Sequence, residues 1–394
     1  MRDVAIIGGG PGGLYAAYRL AQRGWDVAVL EEHAASGDPV HCTGVLATEA
    51  FDEFDIPRHA ILNPLTTARF FGPSGRSIDY STAHAEAVVV DRRRFDADLC
   101  ERATHAGAAV HVGVRVNDIE WSDRSIRLHT APGASIEARA CILACGANYT
   151  LQRRIGLGIP ALYLQSAQFE VPAATPRDLE LYFGDIAPKG FAWVVPVYRA
   201  HGTFARVGLM CERNARECFD RFLARIAPRW RTGTPADPAA GQVARTKIRP
   251  LTPIARTFTR RLLAVGDAAG LVKATTGGGI YYSLLSGSLA AGVLTRALDA
   301  DDLSEKSLSG YETAWRSQLG DELAAQLTLR SIANELTENE IEELFELART
   351  DGVMPIVRRT AAFNRHRHLI VSLLGHPPAR RVLMRRVFQR AAPS

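Results

Sequence analysis

Six residues constrain this chain more than any others: Gly8-Gly9-Gly10-Pro11-Gly12-Gly13, set between the apolar run Val4 to Ile7 and a stretch with helical periodicity that reaches about Arg23. A buried strand that turns within a few residues into a helix needs glycines at the bend. Gly8, Gly10 and Gly13 supply them in the GxGxxG spacing, where backbone amides and the helix dipole can hold a pyrophosphate. A second strand, Asp26 to Leu30, leads to Glu31, which lies 18 residues past Gly13 and is spaced to accept hydrogen bonds from an adenosine ribose. Glu32 beside it reads as a solvated charge. Together these pieces predict the first half of a βαβ dinucleotide-binding unit.

The fingerprint does not separate NAD from FAD, and the segment LLAVGDAAGLVKATTGGGI, far downstream, decides. It predicts a strand ahead of Gly266 and Asp267, then a glycine turn opening a long helix from about Gly279 to Asp299. Asp267 is placed to bond a ribityl chain. The amides of Gly278, Gly279 and Ile280 are placed to polarise the pyrimidine edge of a flavin. Only one dinucleotide fingerprint is present, so a dedicated nicotinamide domain is not expected, and electrons come from transiently bound NADPH or a ferredoxin-type carrier.

The 394 residues, 47% hydrophobic and 23% charged, exclude a disordered or fibrous chain. The six cysteines show no CxxC pair, no zinc spacing and no disulfide framework, and the N-terminus shows no signal-peptide pattern. A reducing, cytoplasmic location is expected, with no metal. No uninterrupted apolar run is long enough for a spanning helix. Periodicity predicts a helix from about Arg93 to Ala106, and a strand-rich middle at Leu162–Glu170, Leu179–Phe183, Phe191–Val197, Phe204–Met210 and Gln242–Ile248. From Glu305 onward the pattern is helical. The expected division is a first FAD-binding part at 1–150, a β-sheet substrate domain at 151–255, a second FAD-binding part at 256–300 and a helical domain at 301–394. The fold class is therefore α/β: a Rossmann-like FAD-binding domain with an inserted antiparallel sheet and a C-terminal helical region.

The net charge of +5 conceals an asymmetry, because residues 352–394 carry nine arginines and no acid. Arginine pairs alternate with apolar residues at helical spacing. That pattern suits a helix lying on an anionic membrane surface, or a solvated basic face on a helix packed against its own domain; nucleic acid is the less suitable partner.

The segments GGGPGGLYAAYRLAQRGWDVAVLEE, HCTGVL, VDRRRFDADL, ACILACGA, PKGFAWVVP and GDAAGLVKATTGGGIYYSLLSG, with the helical tail, resemble the geranylgeranyl reductase family of FAD-dependent oxidoreductases, within the para-hydroxybenzoate hydroxylase fold. The resemblance runs over the whole chain. It implies FAD contacts at Arg92 and Val116 besides those above, and isoprenoid chains lying against the middle sheet near Tyr182, Phe191, Trp193 and Pro196. Two positions depart from the family's PxxYxWxFP motif: Phe191 replaces Tyr and Val195 replaces Phe. Ala274 stands where relatives often carry Pro, and Cys145 stands where aromatic hydroxylases of this fold carry an acid.

Saturating an unactivated prenyl double bond needs a hydride at one carbon and a proton at the other, in a dry site. Phe191 and Trp193, two apart on a strand, face one side and can flank an isoprenoid chain. Cys42 matches the cysteine that many relatives carry near the flavin, and is the candidate proton donor, with His41 beside it. Cys141 and Cys145 read as packing residues. The expected activity is saturation of a polyprenyl group on a lipid, quinone or pigment. The alternatives are a flavin monooxygenase or halogenase of the same fold, for which only Lys189 lies near the aromatic motif, and a flavoprotein that uses FAD structurally or as a redox sensor.

Overall fold

The computed structural model describes residues 1–40, 42–131, 133–174, 178–231, 246–350 and 352–391, with side chains through residue 385. Its first sheet runs, in order, Phe258–Thr259, Leu262–Ala264, Ser135–Leu143, Arg2–Ile7, Val27–Glu31 and Ala109–Val112. The pairings from Leu262–Ala264 through to Ala109–Val112 are parallel. A parallel strand covered on both faces must be apolar throughout, and every residue of Val27–Glu31 is buried. Two strands, Val116–Trp121 and Ile126–Thr130, form an antiparallel ribbon off Ser135–Leu143.

Helices Pro11–Ala21 and Ile280–Asp299 pack on each other through small residues. A Cβ on Gly287 would lie 2.4 Å from the Gly12 carbonyl oxygen, so the two backbones touch. That contact sets the two glycine-rich helix N-termini side by side although they are some 270 residues apart in sequence.

The second sheet has seven strands, in order Lys247–Pro250, Tyr163–Pro172, Gly202–Cys211, Phe191–Arg199, Leu179–Tyr182, Thr67–Phe71 and Ser77–Ser81. The Leu179–Tyr182 pairing with Thr67–Phe71 is parallel, the others antiparallel. Thr67–Ser81 thus joins this sheet, although it precedes it by nearly 100 residues. Of the expected strand Gln242–Ile248, residues 242–245 lie outside the described residues, as do residues 232–241 and His41.

The middle of the chain is not all strand. Helix Ala215–Trp230 covers one face of the second sheet with Phe219, Phe222, Ile226 and Trp230, all buried. Their spacing of three to four residues is the helical signal that the strand-only reading passed over. A small sheet of Val45–Ala47, Ala87–Val90 and Ile61–Leu65 comes from the chain between the Val27–Glu31 and Ala109–Val112 strands of the first sheet. Beyond Ser304, which caps its helix by accepting from Ser307 N–H, come helices Glu305–Ala333, Glu338–Thr350, Val353–Thr360, Arg367–Gly375 and Pro377–Ala391. Among the described residues no helix is long and apolar enough to cross a membrane.

Candidate active site

A cavity of about 1250 Å³ opens where the first sheet, the second sheet and the C-terminal helices meet. One end is backbone. Gly10, Gly12 and Gly13 line it, at the start of a helix whose N-cap, Gly10, has no side-chain cap and whose first turn carries no acid. Gly278, Gly279 and Ile280 line it from the second helix N-terminus, also without a side-chain cap. Two sets of unsatisfied N–H groups therefore face one space, which is the arrangement that binds anionic or carbonyl oxygens. The loop is held by close approach: a Cβ on Gly13 would lie 2.3 Å from the Gly8 carbonyl oxygen, whereas one on Gly10 would meet nothing within 4 Å.

The side chains around this end are consistent with a bound FAD. Asp267 lines the cavity, and no donor among the described residues meets its carboxylate; burial pushes its pKa up, so hydroxyl donors such as a ribityl chain suit it. Arg92 also lines it. Burial works against its charge, but Asp96, at 2.7 Å, and the Cys42 sulfur outweigh this and keep the guanidinium ionised, while its buried Nε–H has no partner among the described residues. Gly8 and Glu31 stand behind the lining glycines. Glu31 accepts from the Gly9 amide at 2.6 Å on Oε2, while Oε1 meets the His33 N–H at 2.9 Å and the His33 Nδ1 at 2.5 Å, so Oε2 is the oxygen with capacity left for a ribose hydroxyl. Gly266, in the left-handed region at φ +56°, packs against Ser283. Val116 begins its strand inside the first core and does not line the cavity.

The other end is apolar. Alternation along a strand puts Phe191, Trp193 and Val195 on the cavity side, and Leu179, Leu181 and Phe183 beside them. Rings follow one another along this wall, with Phe345 to Phe183 at 6.1 Å between centroids, Phe183 to Phe191 at 6.0 Å and Phe191 to Trp193 at 5.6 Å. Trp193 is in register with Gly208 across the strand pair, and a Cβ there would lie 2.5 Å from the indole. Its buried N–H has no partner among the described residues.

Two expected substrate residues face elsewhere. Tyr182 has the opposite parity: its ring stacks on Phe71 at 4.5 Å and meets Phe222 at 5.1 Å, and its hydroxyl donates to buried Glu180 at 2.6 Å. Glu180 also accepts from Arg229 and the Trp230 indole, which explains a carboxylate inside this core. Pro196 shares the parity of Ala192 and Val194, and its carbonyl accepts from Asn63. Neither lines the cavity.

The ceiling was not foreseen. Ile341, Leu344 and Phe345, on one face of helix Glu338–Thr350, and Leu369, Ile370, Leu373 and Leu383 of the arginine-rich tail close the apolar end. The i, i+3, i+4 spacing marks an apolar face in the sequence, but not what that face covers.

Cys42 lines the junction between the two ends and accepts from the Gly44 amide at 3.4 Å. Its loop is tied from behind. Arg206, 5% exposed, donates to the Thr43 and Val90 carbonyls at 2.7 and 2.9 Å and to Glu170 at 2.8 Å; Glu170 pairs in turn with Arg199, which reaches Asp91. Cys141 is fully buried and Cys145 lies just past the strand end, its thiol pushed up to about 11 by burial, so both stay protonated. Lys189 sits at the rim, paired with Glu212 at 2.7 Å.

Residues 2–171 match the pyridine nucleotide-disulphide oxidoreductase family. The chain is 30% identical over 364 residues to the digeranylgeranylglycerophospholipid reductase of Methanocaldococcus jannaschii, covering 87% of this chain and 90% of that one. Its fold is similar to a geranylgeranyl bacteriochlorophyll reductase-like protein from Thermoplasma acidophilum, with a TM-score of 0.84, 23% identity and 98% of each chain covered. A halogenase in complex with phloroglucinol and FAD is similar at a TM-score of 0.69 and 14% identity, over 100% of this chain and 93% of that one. With two glycine-rich helix N-termini at one end of the cavity and an aromatic wall at the other, and with that relative matched over nearly its whole length, the chain belongs to the geranylgeranyl reductase family of FAD-dependent oxidoreductases.

Proposed function

We propose that this protein saturates carbon–carbon double bonds of geranylgeranyl or longer polyprenyl chains carried on a lipid, and the carrying observation is the continuity of the cavity. At about 1250 Å³ it exceeds the roughly 300–1,000 Å³ that one drug-sized ligand occupies. A flavin head and an extended hydrocarbon can share it. The relatives named for digeranylgeranylglycerophospholipid support a prenyl chain on a phospholipid as the substrate.

Bound reduced FAD supplies the hydride; everything else is the work of this chain. Gly10, Gly12 and Gly13 hold the pyrophosphate, Glu31 the ribose, Asp267 the ribityl hydroxyls, and the amides of Gly278 to Ile280 the pyrimidine edge. Phe183, Phe191 and Trp193 align the prenyl chain and exclude water, which keeps the hydride from being lost to side reactions. Cys42 holds the proton that the second alkene carbon takes, and the Arg92 guanidinium beside its sulfur stabilises the thiolate left behind. Electrons reach the flavin from NADPH or a ferredoxin-type carrier. The tail supports contact with an anionic membrane: its apolar side chains close the cavity, while Arg358, Arg359 and Arg381 are exposed.

The test is an anaerobic single turnover. Protein reduced with dithionite is mixed with geranylgeranyl-bearing phospholipid, and flavin reoxidation is followed together with product mass. Reoxidation without oxygen, with product gaining hydrogens two at a time, is expected. Flavin that stays reduced until oxygen is admitted would sink the reductase reading and favour oxygen-using chemistry.

A further inference from the structure

Lys273 is a buried cation in the wall of the cavity, 4% exposed, and nothing in the reaction above uses it. Its ammonium donates to the Phe363 carbonyl at 2.7 Å and to Asn364 Oδ1 at 3.0 Å, and lies 4.2 Å from the centre of the Phe363 ring. Among the described residues no carboxylate touches it. The third N–H has no oxygen acceptor among the described residues. An ammonium taken out of water without a paired anion is costly, and a neutral donor would tie the tail to this loop as well.

Its position suggests what the charge is for. The loop from Lys273 to Gly278 closes on itself: Lys273 N–H donates to the Gly278 carbonyl at 3.1 Å and Gly277 N–H to the Lys273 carbonyl at 2.7 Å. A Cβ on Gly278 would lie 3.1 Å from Lys273 Cε and 3.7 Å from Nζ. The lysine side chain thus packs against the Gly278 backbone, whose N–H donates to the Thr276 hydroxyl at 3.4 Å, at the turn that opens the second helix, and all of these residues line the cavity.

We propose that Lys273 is a tuning residue for the cofactor: its buried ammonium, in the cavity wall beside the Gly278 turn, stabilises the negative charge that the flavin carries when reduced and so raises the flavin's reduction potential. This rests on the reading of the cavity as an FAD site. Arg92, Arg249 and Arg330 line the same cavity and supply a positive background that substitution of Lys273 leaves unchanged. His366 donates from Nε2 to the Phe363 carbonyl at 3.1 Å, and its Nδ1 shares a 2.6 Å hydrogen bond with the Thr275 hydroxyl. Burial and the nearby Lys273 hold its pKa down to about 4. Arg330 is committed to the carbonyls of Ala274, Lys189 and Thr275. Glu322 accepts from Gln326 and from the amides of His366 and Arg367, and Glu49 accepts from Asn364. Burial pulls Lys273 down to about 7 against the pull of these two carboxylates, so a change of charge at the flavin changes how firmly its proton is held.

The experiment is an anaerobic titration of the FAD-loaded protein against redox dyes, for the wild type, Lys273→Met and Lys273→Arg. At pH 7 the Met variant is expected to shift the oxidised-to-reduced ratio about tenfold toward oxidised at fixed potential, near 30 mV for a two-electron couple. The Arg variant, which keeps the charge, is expected near the wild type. A Met variant with full FAD content and an unchanged potential, or Met and Arg variants shifted alike, overturns the proposal. If the Met variant fails to keep FAD, Lys273→Gln, which keeps a hydrogen-bond donor and loses the charge, decides: a shift toward oxidised of similar size is expected, and an unchanged potential overturns the proposal. Wild-type protein that takes up no FAD overturns the cofactor reading itself.

Discussion

The two ends of the cavity are built in opposite ways. At the flavin end the lining is backbone, and a single added carbon at Gly13 would sit 2.3 Å from another residue's carbonyl oxygen. At the prenyl end the lining is apolar side chains, and Leu344 or Phe345 can change without any backbone moving. An amide that must meet a particular oxygen tolerates no displacement, whereas a hydrocarbon is recognised by area and shape alone. The flavin end should therefore be brittle and the prenyl end graded.

Gly13→Val is the harshest test of that contrast. Overpacking of roughly 1–3 kcal/mol or more converts to about 10- to 100-fold weaker FAD binding, read from flavin absorbance after gel filtration; full flavin retention would break the comparison. Glu170→Gln comes next, because it strips a charged partner from Arg206 and loosens the Cys42 loop. The cost is roughly 1.5–3 kcal/mol, seen as a lower urea midpoint. Burial opposes ionisation of Glu170, but Arg199 and Arg206 outweigh it and hold its pKa below the usual glutamate value. Its contribution is thus complete above that usual value and is lost as pH falls through the lowered one. The variant should be less stable than the wild type at pH 7, with the gap closing on acidification; a gap that widens in acid contradicts the assignment.

Gly208→Ala sharpens the comparison at the junction. It pushes on the Trp193 indole from behind, and overpacking of about 1–2 kcal/mol should lower turnover and change tryptophan fluorescence while flavin content stays full. The smallest effect belongs to Leu344→Ala, a half-buried position worth about 1 kcal/mol in lost apolar contact. KM should rise for a geranylgeranyl substrate and hardly change for a shorter prenyl chain; equal changes for both would mean that the helical ceiling does not touch the substrate.

What could be read from the sequence follows the same division. Gly8 and Gly13 declare themselves because an added Cβ would lie 2.3 Å from another residue's carbonyl oxygen, Gly10 and Gly278 to Ile280 through their spacing alone, and the fold brings the two segments together. Phe191 and Trp193 follow from strand parity, and the same rule applied two residues further selects Val195 over Pro196. Parity also separates Tyr182, which shares a face with Glu180, from Leu179, Leu181 and Phe183; what the sequence hid is that the Glu180 face is buried too, under helix Ala215–Trp230. Lys273 was invisible for a different reason: a lysine in a glycine-rich loop looks solvated until Phe363 and Asn364, 90 residues later, close over it.

The first sheet has a consequence for how the protein is made. Strand Ser135–Leu143 waits for Leu262–Ala264, and helix Pro11–Ala21 for Ile280–Asp299. At about 5–20 residues per second, translation leaves that sheet edge and that glycine-rich helix face without their partners for some seconds to tens of seconds. The cofactor, whose site needs both helix N-termini, can enter only after residue 280 or so has been synthesised. Flavin supply is then coupled to the last third of synthesis, and a ribosome stalled between residues 143 and 262 carries an open parallel edge of the kind that chaperones cover.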